Sequence, residues 1–144
     1  MNALRQIGRD WPLMNAADRT RIALAFGFIF GALSHIGWVI AHGDFWYHGP
    51  GPSWAPAFWY GLCLVDPIVF WMLAAQPRLG IVLGSITMAV SLAVNWLCFP
   101  TFEFQFNYVL IGLTLFGVVM WLTSPWLWAR SKWRLSSSSA RNGG

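Results

Sequence analysis

Apolar residues run along the chain in four long blocks, at about positions 22–41, 56–75, 79–99 and 108–128. Each block is about twenty residues long, the length a helix rising 1.5 Å per residue needs to cross a hydrocarbon layer of about 30 Å. Between the blocks lie short stretches rich in Gly, Pro, charged and aromatic residues. The pattern predicts an all-α, integral membrane four-helix bundle, with residues 1–135 as a single domain. No intervening segment is long enough for a separate soluble domain.

Local signals place the helix ends. Asn15 followed by Asp18 reads as an N-cap with an acid in the first turn, so the first helix should start near Ala16 and enter lipid near Ile22. Pro56 suits a first helical position in the second. Gln76-Pro77-Arg78 leaves almost no loop, so the second and third helices should form a tight antiparallel hairpin, the third stopping before Pro100. Pro125 is expected to bend the end of the fourth.

The flanking stretches read differently. Leu4, Ile7, Trp11 and Met14 recur at near-helical spacing among Arg5, Arg9 and Asp10, the pattern of an interfacial segment interrupted by Pro12. His42 to Ala55 reads as a folded loop. Phe102, Phe104 and Phe106 alternate with Glu103, Gln105 and Asn107, as in a short extended segment on the bilayer surface. Trp126, Trp128 and Trp133 form an aromatic anchor, and the tail 136–144 is expected to be disordered.

Composition agrees with this picture and adds an orientation. Of 144 residues, 57% are hydrophobic and 10% charged, well below the roughly 25% charged of a soluble domain. The net charge of +4 would point to nucleic acid in a soluble protein. Here the nine Lys and Arg residues sit beside apolar spans: Arg5, Arg9, Arg19 and Arg21 before the first, Arg78 in the second turn, and Arg130, Lys132, Arg134 and Arg141 after the fourth. By the positive-inside rule both termini are cytoplasmic, and the lipid bilayer, not nucleic acid, is the expected partner. The first block is too long for a signal peptide's apolar core, so it stays in the mature protein. The absence of targeting and glycosylation signals suggests the cytoplasmic (inner) membrane of a bacterium. So small a bundle also suits a homodimer or a larger membrane complex. Cys63 and Cys98 fall inside spans, where they read as small packing residues.

Polar groups inside a span are costly and often functional. Asp66 is the only acid there, near the middle of the second span and directly before Pro67, which cannot donate to the Cys63 carbonyl. It reads either as a proton acceptor or cation ligand, or as a neutral acid whose hydroxyl bonds a nearby carbonyl. His35 shares a stripe with Gly27, Gly31 and Ser34, where Gly27-x-x-x-Gly31 allows close helix approach. It reads as a buried histidine bonded across helices or as a cofactor ligand. Gly80, Gly84, Thr87, Ser91 and Asn95 follow one face of the third span, either for tight packing or as a polar lining. If these helices adjoin, His35, Asp66, Ser91 and Asn95 would outline a ligand-binding pocket opening outward.

His42, Asp44 and His48 offer imidazole and carboxylate donors for a metal, at a spacing that matches no established motif; the bland reading is an amphipathic interfacial anchor. The sequence names no cofactor. Only His35 lies well inside a span, so a bis-histidine haem would need His42 or His48 as its partner. No phosphate loop, Ser-His-Asp arrangement or pair of intramembrane carboxylates is present, which leaves hydrolase and nucleotide chemistry without support. Three functions follow as expectations. The first is a non-enzymatic protein that binds a ligand or assists a membrane complex. The second is a proton-coupled carrier of a small solute using Asp66. The third is a histidine-based metal or haem redox protein.

Overall fold

A computed structural model describes residues 14–42, 52–98 and 107–131. It contains four helices: α1 Ala16–His42, α2 Ala55–Ala75, α3 Pro77–Cys98 and α4 Asn107–Arg130. All four are long and apolar enough to span a membrane. The expected interfacial segment before Met14, most of the loop after His42, the alternating phenylalanine segment, Trp133 and the tail 136–144 lie outside the described residues.

The helix starts follow from local chemistry. The Asp18 amide donates to Asn15 Oδ1 at 2.9 Å, and Asn15 Nδ2 returns a bond to Asp18 Oδ2 at 2.9 Å. Asn15 thus satisfies an amide that the helix itself leaves without an acceptor. Pro56 sits in the first turn of α2, where a missing N–H costs nothing. Both α2 and α4 run on through their internal prolines, Pro67 and Pro125.

Helix packing rests on small residues. In lipid no hydrophobic drive pulls one apolar helix onto another, so close backbone approach and dispersion decide the pairing. Gln76 alone separates α2 from α3, and Gly80 lies so close to Leu73 that any Cβ would strike its backbone. One turn on, a Cβ at Gly84 would stand 2.8 Å from Met120 Cε and 3.3 Å from both Phe28 Cζ and Val69 Cγ1. All four helices therefore meet at Gly84. Gly117 of α4 receives Leu92 of α3, and Gly27 of α1 receives the Phe116 ring of α4. Phe28 also packs edge-on against Phe116, with centroids 5.4 Å apart.

These pairs set the register. Leu73 with Gly80 and Val69 with Gly84 show α2 and α3 running in opposite directions. The most extensive interface, between α1 and α2, does the same, with Phe28 at the level of Val69. Buried Leu24, Phe28, Val69, Leu73, Met88 and Met120 belong to one central core, and Ala55, Val94 and Cys98 form a smaller one towards the far end. The outer surface is as apolar as the core: Phe30, Ile40, Leu64, Tyr108 and Leu122 are all exposed, as a lipid-facing surface requires.

One end carries the basic residues. Among the described residues these are Arg19, Arg21, Arg78 and Arg130, at the start of α1, the start of α3 and the end of α4. Arg78 Nε donates to the Ser131 carbonyl at 3.0 Å, and its guanidinium lies 5.3 Å from the Trp128 ring centroid. Arg21 pairs with Asp18 at 3.0 Å, and Arg130 lies over Trp126. The opposite end, where α1 and α3 finish and α2 begins, is called distal below.

Candidate functional site

Asp66 is buried in the bundle at 6% exposure. A Cβ on Gly31 would lie 2.8 Å from its Oδ2, so the carboxyl occupies the space a side chain on α1 would fill. The pair sits one turn distal of the Gly84 layer, because Gly31 follows Phe28 by three residues and Asp66 precedes Val69 by three. The same register puts Thr87 of α3 level with Asp66: Gly80 faces Leu73, Gly84 faces Val69, and Thr87 falls opposite position 66. Thr87 and Ser91 are the other buried polar side chains in this part of the bundle, at 7% and 4% exposure.

These three groups differ from the other polar side chains of the spans. Ser34, Thr114, Thr123, Ser124 and Ser131 each return their hydroxyl to the carbonyl four residues back, at 2.7–2.9 Å. Ser85 meets Ser124 across α3 and α4 at 3.0 Å. Among the described residues, the Asp66 carboxyl and the Thr87 and Ser91 hydroxyls make no hydrogen bond. None of these oxygens is at once fully buried and without a partner. Pro67, inside α2, has no N–H to offer the Cys63 carbonyl.

The sequence candidates fall at different levels. His35 is one turn distal of Gly31, about 6 Å along the helix axis; it is half-buried and has no hydrogen bond among the described residues. Ser91 is one turn distal of Thr87, level with His35. Asn95 is a further turn away, about 12 Å from the Asp66 level, and its Nδ2 donates to the Ser91 carbonyl at 2.8 Å within its own helix. Ser34 is exposed and bonded to Phe30, off the packed stripe. The Gly27-x-x-x-Gly31 face is divided: Gly27 admits Phe116 of α4, whereas Gly31 admits Asp66 of α2. Thr87, read in the sequence as part of the polar face of the third span but not of the outlined pocket, falls level with Asp66; its signal was the four-residue spacing to Ser91 on a face rich in small residues.

His42 ends α1, and Asp44 and His48 lie outside the described residues. Among the described residues no group of three or more His, Cys, Asp or Glu is placed to share a metal ion. Cys63 and Cys98 form no disulfide, and Cys98 is fully buried.

The Asp66 carboxyl and the Thr87 hydroxyl level with it thus present oxygen, with the Ser91 hydroxyl one turn distal. Such a set accepts protons or hydrogen bonds and coordinates hard cations. Compared with protein-family models, curated proteins and solved structures, the chain matches none.

Proposed function

We propose that the protein is a non-enzymatic, multi-pass protein of the cytoplasmic membrane that binds a small cationic ligand at Asp66, in the distal half of its bundle. The observation that carries this reading is the buried carboxyl of Asp66, seated against Gly31 without a hydrogen-bonding partner among the described residues. An acid kept inside a membrane span is expensive, and a ligand that supplies the missing positive charge or proton accounts for its presence. The placement of Arg19, Arg21, Arg78 and Arg130 at one end supports both termini on the cytoplasmic side, with the distal end outward. In this reading α2 and α3 insert as one tight hairpin about Gln76.

The test is ligand-linked stability. Detergent-solubilised wild type and Asp66→Asn are melted in chloride salts of sodium, potassium, choline and tetraphenylphosphonium at constant ionic strength. A ligand that binds only the folded state raises the midpoint with concentration. One of these cations should stabilise the wild type and leave Asp66→Asn unmoved. If none separates the two proteins, the reading fails.

A second reading, a proton-coupled carrier, is favoured by the position of Asp66 directly before Pro67, where the ladder of α2 lacks a bond. Its test is liposome flux of a small solute under a pH gradient, which Asp66→Asn should abolish. Flux insensitive to both gradient and substitution would remove it.

A further inference from the structure

We infer that the basic end of the bundle is a binding surface for anionic phospholipid, built from Arg19, Arg78 and Arg130 with Trp126 and Trp128, and that its guanidinium groups engage the lipid phosphates.

Depth comes first. Arg78 donates to the carbonyl of Ser131, the residue after Arg130, so the start of α3 and the end of α4 bring both cations to one height. Asp66 and Thr87 stand level near the middle of α2 and α3. Arg78 precedes Thr87 by nine residues, about 14 Å along the helix axis. Arg19 precedes Gly31, at the Asp66 level, by twelve, about 18 Å. Half of a hydrocarbon core of about 30 Å is about 15 Å, so these guanidinium groups reach the lipid phosphates and not the acyl chains.

Charge comes second. Among the described residues the one acid at this end is Asp18, which Arg21 answers at 3.0 Å. Four arginines against one carboxylate leave a local excess of three positive charges, and Lys132 and Arg134 follow Arg130 closely in sequence. Each Lys or Arg held at a bilayer surface strengthens attraction to an anionic leaflet by about fivefold.

The kind of cation comes third. Eight of the nine basic residues are arginine, with Lys132 the exception. Orientation is set by lysine and arginine alike, whereas only arginine offers a planar fork that meets two phosphate oxygens together. Arg19 and Arg130 are exposed. The Arg78 guanidinium lies 5.3 Å from the Trp128 ring centroid and that of Arg130 5.8 Å from Trp126. A ring covers the face of a guanidinium, while its N–H donors lie in the plane, so the tryptophans steady the fork without competing for phosphate.

The experiment is lipid-linked melting of the purified full chain in a neutral detergent at low ionic strength. It is titrated with dioleoylphosphatidylglycerol, dioleoylphosphatidylcholine or inorganic phosphate; a ligand of the folded state raises the midpoint with concentration. Wild type, Arg19→Gln, Arg130→Gln, the double variant and Arg130→Lys are compared, with lipid-free midpoints and size-exclusion profiles to verify folding. Phosphatidylglycerol should raise the wild-type midpoint saturably. Phosphatidylcholine, with the same chains and no net charge, and inorganic phosphate should move it far less. Each Gln substitution should weaken the apparent affinity by about fivefold and the pair by about 25-fold. Arg130→Lys should fall between Arg130→Gln and the wild type, having the charge without the fork.

Equal shifts from the two lipids overturn the inference and leave the arginines as markers of orientation. A shift from inorganic phosphate as large as that from phosphatidylglycerol overturns lipid as the occupant, and wild-type affinity in the double variant overturns this surface. Wild-type affinity in Arg130→Lys overturns the role of the fork. The cation reading of Asp66 stands apart from all of these outcomes, since it is tested with different ligands on a different residue.

Discussion

Gly31 and Asp66 fit together across α1 and α2: a Cβ on the glycine would lie 2.8 Å from the acid's Oδ2. The carboxyl is the far end of a short, buried side chain, so Gly31→Ala forces it to turn within a packed layer. We expect Gly31→Ala to cost about 1–3 kcal/mol, as overpacking typically does. Asp66→Ala should remove the conflict, so the double variant should be more stable than the sum of its parts by roughly 0.5–3 kcal/mol. Unfolding midpoints of the four proteins in one detergent measure this, and strict additivity would show that the two residues do not touch.

Gly80 and Gly112 make a paired comparison. A Cβ at Gly80 meets the backbone of Leu73 and Met72, which cannot rotate away, whereas one at Gly112 meets nothing within 4 Å. Gly80→Ala should therefore destabilise by about 1–3 kcal/mol or more. Gly112→Ala should be neutral or stabilising by up to about 1 kcal/mol through helix propensity alone. Equal melting temperatures for the two variants would refute the close approach of α2 and α3.

Arg78 ties the end of α4 to the start of α3 through the Ser131 carbonyl and the Trp128 ring. Arg78→Lys keeps the positive charge and loses the planar Nε–H donor. We expect unchanged topology, a loss of about 1–3 kcal/mol, and faster amide hydrogen exchange at Trp128 to Ser131. Exchange there at the wild-type rate would mean that the arginine only marks orientation.

Orientation itself is open to direct test. In a background with Cys63 and Cys98 replaced by Ala, Ser53→Cys at the distal end should react with a membrane-impermeant thiol reagent in intact cells. Asn142→Cys should react only after permeabilisation. The reverse pattern would place the arginine-rich end outside, contrary to the positive-inside rule.

Much of the architecture was legible in the chain. Four apolar blocks located the helices, and Asn15 with Asp18 located the start of α1 at Ala16. Pro67 removes one bond from the ladder, and α2 continues through it, as the unbroken apolar block 56–75 predicts. Asn95 shows another limit. Its place on the polar face of α3 put it in the candidate pocket, yet its side chain bonds its own helix about 12 Å from the Asp66 level.

By itself the sequence determined that this protein has four membrane-length helices and that its basic residues gather beside particular ends of them. Both are properties of one segment facing one solvent, so hydropathy and charge read out directly. Which residues face one another was decided only by the tertiary structure. The two glycines of Gly27-x-x-x-Gly31 look equivalent in sequence, and the fold gives one to Phe116 and the other to Asp66. Likewise Thr87 became level with Asp66 only once Gly80 had closed on Leu73. Register between helices is a property of pairs, set by where small residues let two backbones approach, and a single chain pattern does not contain it.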